Sequence, residues 1–150
     1  MQISVGSDHR GLNVKQRLCE LLHRLGHEVV DEGTHCDQSC DYPDIAMVVA
    51  GKVSRGEIER GILICGTGIG MSITANKFPG VRAAACNDAV TAEISRRHND
   101  VNVLCLAGDL LGQRNIDRLI EIWLDTEFEG GRHARRLRKI AAIETAQERA

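Results

Sequence analysis

Apolar positions along this chain follow two rhythms. Short apolar runs recur at Ile3-Ser-Val5, Glu28-Val-Val-Asp31, Ile62-Leu-Ile64, Ala83-Ala-Ala-Cys86 and Val103-Leu-Cys-Leu106, the pattern of buried strands. Between them lie stretches with helical spacing. Leu12 to Leu25 places apolar side chains at Val14, Leu18, Leu21, Leu22 and Leu25, and Gly26 follows as a C-terminal stop. Asp41-Tyr42-Pro43-Asp44 opens a helix predicted over about 44–54, and further helices are predicted over 69–76, 89–97, 112–124 and 131–149. Gly33 to Asp41 reads as a polar loop.

Strands that alternate with helices predict an α/β fold. The expected architecture is a three-layer αβα sandwich on a five-stranded parallel, Rossmann-like sheet, with an extra C-terminal helix. At 150 residues the chain suits a single domain over 1–150, with no internal repeat or linker to divide it. In open sheets of this kind, ligands bind beyond the carboxyl ends of the strands. The loops at Asp8-His9, Cys65 to Gly70, Asn87-Asp88 and Ala107-Gly108-Asp109 should therefore share one edge.

Composition changes this picture little. Aromatic residues make up only 3%, which points to a core of Ile, Leu, Val and Ala, and a net charge of −2 gives no general attraction to nucleic acid or membrane surfaces. With neither a signal segment nor a membrane-length apolar run, a cytoplasmic protein is expected. The six cysteines include no Cys-x-x-Cys pair, so reduced thiols are expected, with Cys19, Cys86 and Cys105 acting as small core residues. His35, Cys36 and Cys40 are irregularly spaced for metal ligation and no fourth ligand is evident, so neither metal nor cofactor is expected.

The densest candidate chemistry is at residues 61–72. An apolar strand ends in Cys65, and Gly66, Gly68 and Gly70 follow at alternate positions around Thr67 and Ile69. A strand, a glycine turn and a helix start in that order converge unpaired N–H groups on an anion. Such donors also favour the thiolate of a neighbouring cysteine, a nucleophile or a base. The plain alternative is a cysteine buried as a hydrophobe. A dinucleotide turn needs G-x-G-x-x-G, and G-x-G-x-G departs from it, although Asp88 stands about where a ribose-binding acid would. Donors beside a base instead suit an enediolate oxygen, with Thr67 relaying a proton. Asp8-His9 can be a turn or part of the site. His98 can complement a helix dipole or act as an acid, because histidine changes charge near neutrality. Arg132 and Arg136 share one helix face and can be solvated or can grip a phosphate.

Several of these motifs together closely resemble the ribose-5-phosphate isomerase B family, which includes the galactose-6-phosphate isomerase subunits. The matching segments are Gly6-Ser-Asp-His-Arg-Gly11, Asp41-Tyr-Pro43, Ile64-Cys-Gly-Thr-Gly-Ile-Gly70, Ala75-Asn-Lys77, His98-Asn-Asp100, Asn102-Val-Leu104 and Glu129-Gly-Gly-Arg-His133. They fall in order along nearly the whole chain. The resemblance implies a cofactor-free aldose–ketose isomerase that interconverts ribose 5-phosphate and ribulose 5-phosphate. It implies Cys65 as the base between C1 and C2, Thr67 as an aid to transfer between the oxygens, and Gly66 to Gly70, Ile69 included, as the anion hole. His98 would open the furanose ring with Asp8 at the sugar oxygens, and Asn99 would touch the reacting end. His9, Arg132 and Arg136 would hold phosphate, and Tyr42 would line the pocket. Family members are dimers or tetramers with sites shared between subunits, so a homodimer or tetramer is expected.

Relatives that lack the cysteine use a glutamate a few residues on, where Met71 stands here. Many relatives also carry an arginine where this chain has Asp109, and an acid there would repel a phosphate at about 1 kcal/mol or more per close charge pair. That departure keeps a six-carbon sugar phosphate, such as allose or galactose 6-phosphate, as an alternative substrate. A non-catalytic phosphosugar-binding module is the alternative from another class.

Overall fold

The computed structural model describes residues 1–110 and 112–148, the side chains of 113, 114, 147 and 148 excepted. Five strands, β1 (Gln2–Ser7), β2 (Glu28–Asp31), β3 (Arg60–Cys65), β4 (Ala83–Ala85) and β5 (Val103–Ala107), form one parallel sheet in the order β2-β1-β3-β5-β4. Among the described residues, six helices accompany them: α1 (Leu12–Arg24), α2 (Tyr42–Ser54), α3 (Ile69–Ala75), α4 (Ala89–Asn99), α5 (Gln113–Asp125) and α6 (Arg132–Glu148). This is the expected three-layer α/β architecture. Arg149, the predicted last residue of the final helix, lies outside the described residues.

The two-residue period of β3 separates the layers. Ile62 and Ile64 join Ile3, Val5, Leu104 and Leu106 in a core under α1, α4 and α5. Leu63 and Cys65 turn the other way, to Val103, Cys105, Met71 and the apolar face of α2. Both faces are covered, which is why β3 is buried at every position. A core built from aliphatic residues alone was expected. It also contains Trp123, fully buried, with Arg60 and Arg96 lying over its ring at 5.2 and 5.8 Å.

Several boundaries moved from their predicted positions. A 3₁₀ turn, His9–Gly11, precedes α1, with Asp8 as its cap: Oδ1 accepts from the backbone N–H of Arg10 and Gly11 at 2.9 and 3.1 Å. Helix α4 runs two residues past its predicted end, to include His98 and Asn99. Cys86 lies just beyond β4 but remains buried, its N–H donating to the Cys105 carbonyl. Cys19 is half-buried and packs against the edge of the core. Burial, and next Asp31, push its thiol up to about 11. Burial is also the main cause holding the Cys86 and Cys105 thiols above their ordinary value, so all three stay protonated near neutral pH. Among the described residues, no helix is long and apolar enough to cross a membrane.

Candidate active site

The chain passes from β1 to β2 on one side and then to β3 on the other, so the sheet reverses direction of growth between β1 and β3. A crevice is expected outside the carboxyl ends of these two strands. Asp8 and Cys65 stand there. The Asp8 N–H donates to the Ile64 carbonyl at 3.1 Å, the Gly108 N–H to the Cys65 carbonyl at 2.8 Å and the Asp109 N–H to the Gly66 carbonyl at 3.2 Å. Three of the four loops expected on one edge are thus tied directly together. Asp88, the acid of the fourth, is engaged elsewhere, because its Oδ1 caps α4 by accepting from the Thr91 N–H.

Cys65 is 5% exposed at the mouth of the glycine turn. Gly68 bends back so that its N–H donates to Cys65 Sγ at 3.1 Å, which puts the positive end of a backbone dipole on the sulfur. That bend needs φ +75° at Gly68, a left-handed conformation that glycine adopts freely. Gly70 serves by its bareness. A Cβ there would lie 2.5 Å from Tyr42 Cζ, so the Tyr42 ring rests directly on the turn. Thr67 and Ile69 are exposed beside it, and Thr67 Oγ1 accepts from the Ile69 N–H at 3.3 Å. His9 completes this edge: its Nδ1 accepts from the Cys40 N–H at 3.2 Å. Asp8, His9, Tyr42, Cys65, Gly66, Thr67, Gly68, Ile69 and Gly70 are therefore brought together.

The remaining candidates lie at the other edge. Helix α4 runs antiparallel to the strands, so His98 and Asn99 at its end sit by the amino ends, where the Asn102 carbonyl accepts from the Gly61 N–H. Between Arg60 and Cys65 strand β3 alone spans about 17 Å. His98 stacks on the buried His133, ring centroids 4.1 Å apart and planes 6° from parallel. Both Nε2 atoms face Glu129 Oε2, at 3.9 Å from His98 and 3.5 Å from His133. Glu129 is pinned in turn by Arg97 through Nε and Nη2. Burial, then His98 and Arg132, hold the His133 imidazole below its ordinary pKa. Arg132 and Arg136, exposed on the first turns of α6, extend the same edge.

His35, Cys36 and Cys40 do not form a ligand set among the described residues. His98, Glu129 and His133 do, with ligand atoms within 4.8 Å of one another, although the two rings are stacked and Glu129 is already held by Arg97. Sequence reasoning missed Glu129 and His133 as partners of His98, although both belong to the Glu129-Gly-Gly-Arg-His133 segment. It also missed Arg10, which answers the question raised by Asp109. The two side chains form an ion pair over Gly66, with Arg10 Nε 3.1 Å from where a Gly66 Cβ would stand.

The ribose/galactose isomerase family matches residues 3–140. The chain belongs to that family. Ribose-5-phosphate isomerase B of Escherichia coli is 44% identical over 143 residues, 95% of this chain and 96% of its own. A putative sugar phosphate isomerase of Bacillus subtilis is 46% identical, over 96% of this chain and 97% of its own. Among solved structures, ribose-5-phosphate isomerase B of Clostridium thermocellum superimposes with a TM-score of 0.96 at 48% identity, over 98% of this chain and 99% of its own. The Mycoplasma genitalium enzyme with bound ribulose 5-phosphate gives 0.93 at 41% identity, over 96% of each chain.

Proposed function

We propose that this chain is a cofactor-free aldose–ketose isomerase that interconverts ribose 5-phosphate and ribulose 5-phosphate. The observation that carries the reading is the Mycoplasma genitalium relative holding ribulose 5-phosphate on the same fold. The site supports it chemically. Cys65, with the Gly68 N–H on its sulfur, takes the proton from C2 of the open aldose and returns it at C1. The turn from Gly66 to Gly70 faces the enediolate oxygens, where charge develops, and Thr67 passes a proton between them. His98, beside Glu129, donates to the ring oxygen, Asp8 orients the sugar hydroxyls, and Asn99 contacts the reacting end. His9, Arg132 and Arg136 hold the phosphate, and Tyr42 walls the pocket.

Because Cys65 and His98 occupy opposite edges of one chain, this assignment requires a second copy to complete each site. A homodimer, or a tetramer built from it, follows, with a sugar phosphate as its small-molecule partner. A cytoplasmic setting fits such a substrate.

Solvent deuterium exchange tests the chemistry. The parent should wash the C2 hydrogen of ribose 5-phosphate into water, and Cys65→Ala should bind the sugar without exchange. Unimpaired exchange by Cys65→Ala would refute the base. Mixing Cys65→Ala with His98→Asn protein should restore activity if sites are shared, since a hybrid pair holds one intact site. Side-by-side kcat/KM values for five- and six-carbon sugar phosphates decide the substrate.

A further inference from the structure

Arg60, the first residue of β3, is buried, 8% exposed, at the amino edge of the sheet. Its Nη1 donates to the carbonyls of Trp123 and Leu124 at 3.4 and 3.1 Å. Among the described residues, no carboxylate lies within ion-pair distance of it, and no hydrogen bond engages its Nε or Nη2. Burial, and next the charge of Arg96, pull its guanidinium below its ordinary pKa. Glu59 and Asp100 act on it only from a distance, and a buried charge with no carboxylate in ion-pair contact is costly to a fold, so an anion that supplies that contact binds with an advantage.

The space for such an anion is present. Arg60, Arg82 and Arg96, with Glu59, Asp100 and Asn102, line a cavity of about 240 Å³. Asp100 is already divided between Arg82 Nη2 and Arg96 Nη1, at 2.9 Å each. Three guanidinium groups thus face two carboxylates, leaving a net positive charge and unused planar donors, the arrangement that suits a tetrahedral oxyanion.

We propose that this cavity binds a small oxyanion of the phosphate class, taken by Arg60 together with Arg82 and Arg96. The site is coupled to the turn that ends α4. Arg82 Nε donates to the carbonyls of Asn99 and Asp100, and Arg96 Nη1 to that of Val101, with Asp100 itself left-handed at φ 45°. An anion drawn onto these arginines steadies the segment that carries His98 and Asn99. The proposal needs no assumption about the reaction.

Trp123 supplies the probe, because it is the single tryptophan of the chain and lies under Arg60 and Arg96. Titration of the full chain with inorganic phosphate, at ionic strength held constant with chloride, should change its emission saturably. Arg60→Met keeps the stem over the ring and removes the charge, so its apparent affinity should fall by about tenfold or more. The double variant Arg132→Ala/Arg136→Ala should respond like the parent, which separates this site from the phosphate grip proposed for the substrate. A response shared by inorganic phosphate and ribose 5-phosphate assigns the phosphoryl group in either form; a response to the inorganic ion alone assigns the free anion. Should Arg60→Met fail to fold, Arg60→Lys replaces it, and phosphate should then raise the melting temperature of the parent more than that of the variant. A parent whose emission does not respond saturably, or an Arg60 variant that titrates like the parent, overturns the proposal.

Discussion

Replacing Gly68 with alanine puts the geometry of the cysteine turn to a quantitative test. At φ +75° an alanine Cβ costs about 1–2 kcal/mol from local sterics. At Gly68 that atom also meets backbone: the carbonyl carbons of Leu106 and Cys105 at 3.1 and 3.2 Å and the Leu106 nitrogen at 3.2 Å. A central strand cannot yield as a side chain can, so overpacking adds roughly 1–3 kcal/mol. The total is about 2–5 kcal/mol, which for a chain of this size lowers the melting temperature by roughly 6–15 °C. The control is Gly26→Ala, at φ +83° with nothing within 4 Å of the new atom, which should lose only the local term, about 3–6 °C. Calorimetry on both variants, paired with a coupled isomerase assay, separates strain from contact. Gly68→Ala should also lose at least about tenfold in kcat, because moving Gly68 withdraws the N–H held on Cys65 Sγ. If Gly68→Ala melts with Gly26→Ala and keeps its kcat, the turn is not held against β5 as described.

Three further outcomes are expected. Arg132→Ala with Arg136→Ala should raise KM for the phosphorylated sugar roughly 10–100-fold with kcat little changed, whereas a parent that uses phosphate-free sugar equally well would contradict the phosphate role. Asp31 is raised by burial but drawn further down by the Lys15 bond and the Gly33 N–H, so its carboxyl stays below the ordinary value and its stabilisation, present above about pH 4, fades as pH falls through the lowered pKa. Asp31→Asn leaves the buried Lys15 charge unpaired and should cost about 2–4 kcal/mol in urea melts at neutral pH; a gap from the parent that does not shrink in acid would refute the pairing. Asp109→Asn should change stability by under about 1 kcal/mol, since its pair with Arg10 is solvent-exposed, and should lower KM for a sugar phosphate a few-fold; a rise in KM would show that Asp109 helps binding.

How much of this was legible in the sequence depended on the range of the interactions. Strands and helices announced themselves through period, and the Cys65 turn through the order strand, cysteine, glycines, because each is a local pattern. The edge shared by Asp8 and Cys65 followed from a rule about parallel sheets. What escaped was pairing between distant residues. Arg10 and Asp109 are separated by most of the chain, and only the adjacency of β1, β3 and β5 closes them over Gly66. His98 and His133 likewise meet only because α6 packs on α4. Arg60 gave no signal either: at the start of an apolar run it reads as a solvated strand end, and it is buried beside Trp123 of α5.

The candidates divide between two edges, and the proposed function has to bring both together. Each chain presents Cys65 with its glycine turn at one edge, and an imidazole cluster with two exposed arginines at the other. Strand length keeps the two sets about 17 Å apart, well beyond a five-carbon sugar phosphate's reach across the sheet, and the buried strands between them cannot shorten. Motion within a chain therefore cannot unite them. A two-fold arrangement can, because an isologous contact that brings the imidazole edge of one copy to the cysteine edge of its partner makes the reciprocal contact as well, completing two sites at once. On that arrangement the Arg10–Asp109 pair sits at the seam between the base and the incoming arginines. Under the proposed function, Arg10 would there offset the carboxylate's charge beside a phosphate, which would reconcile an acid at position 109 with an anionic substrate.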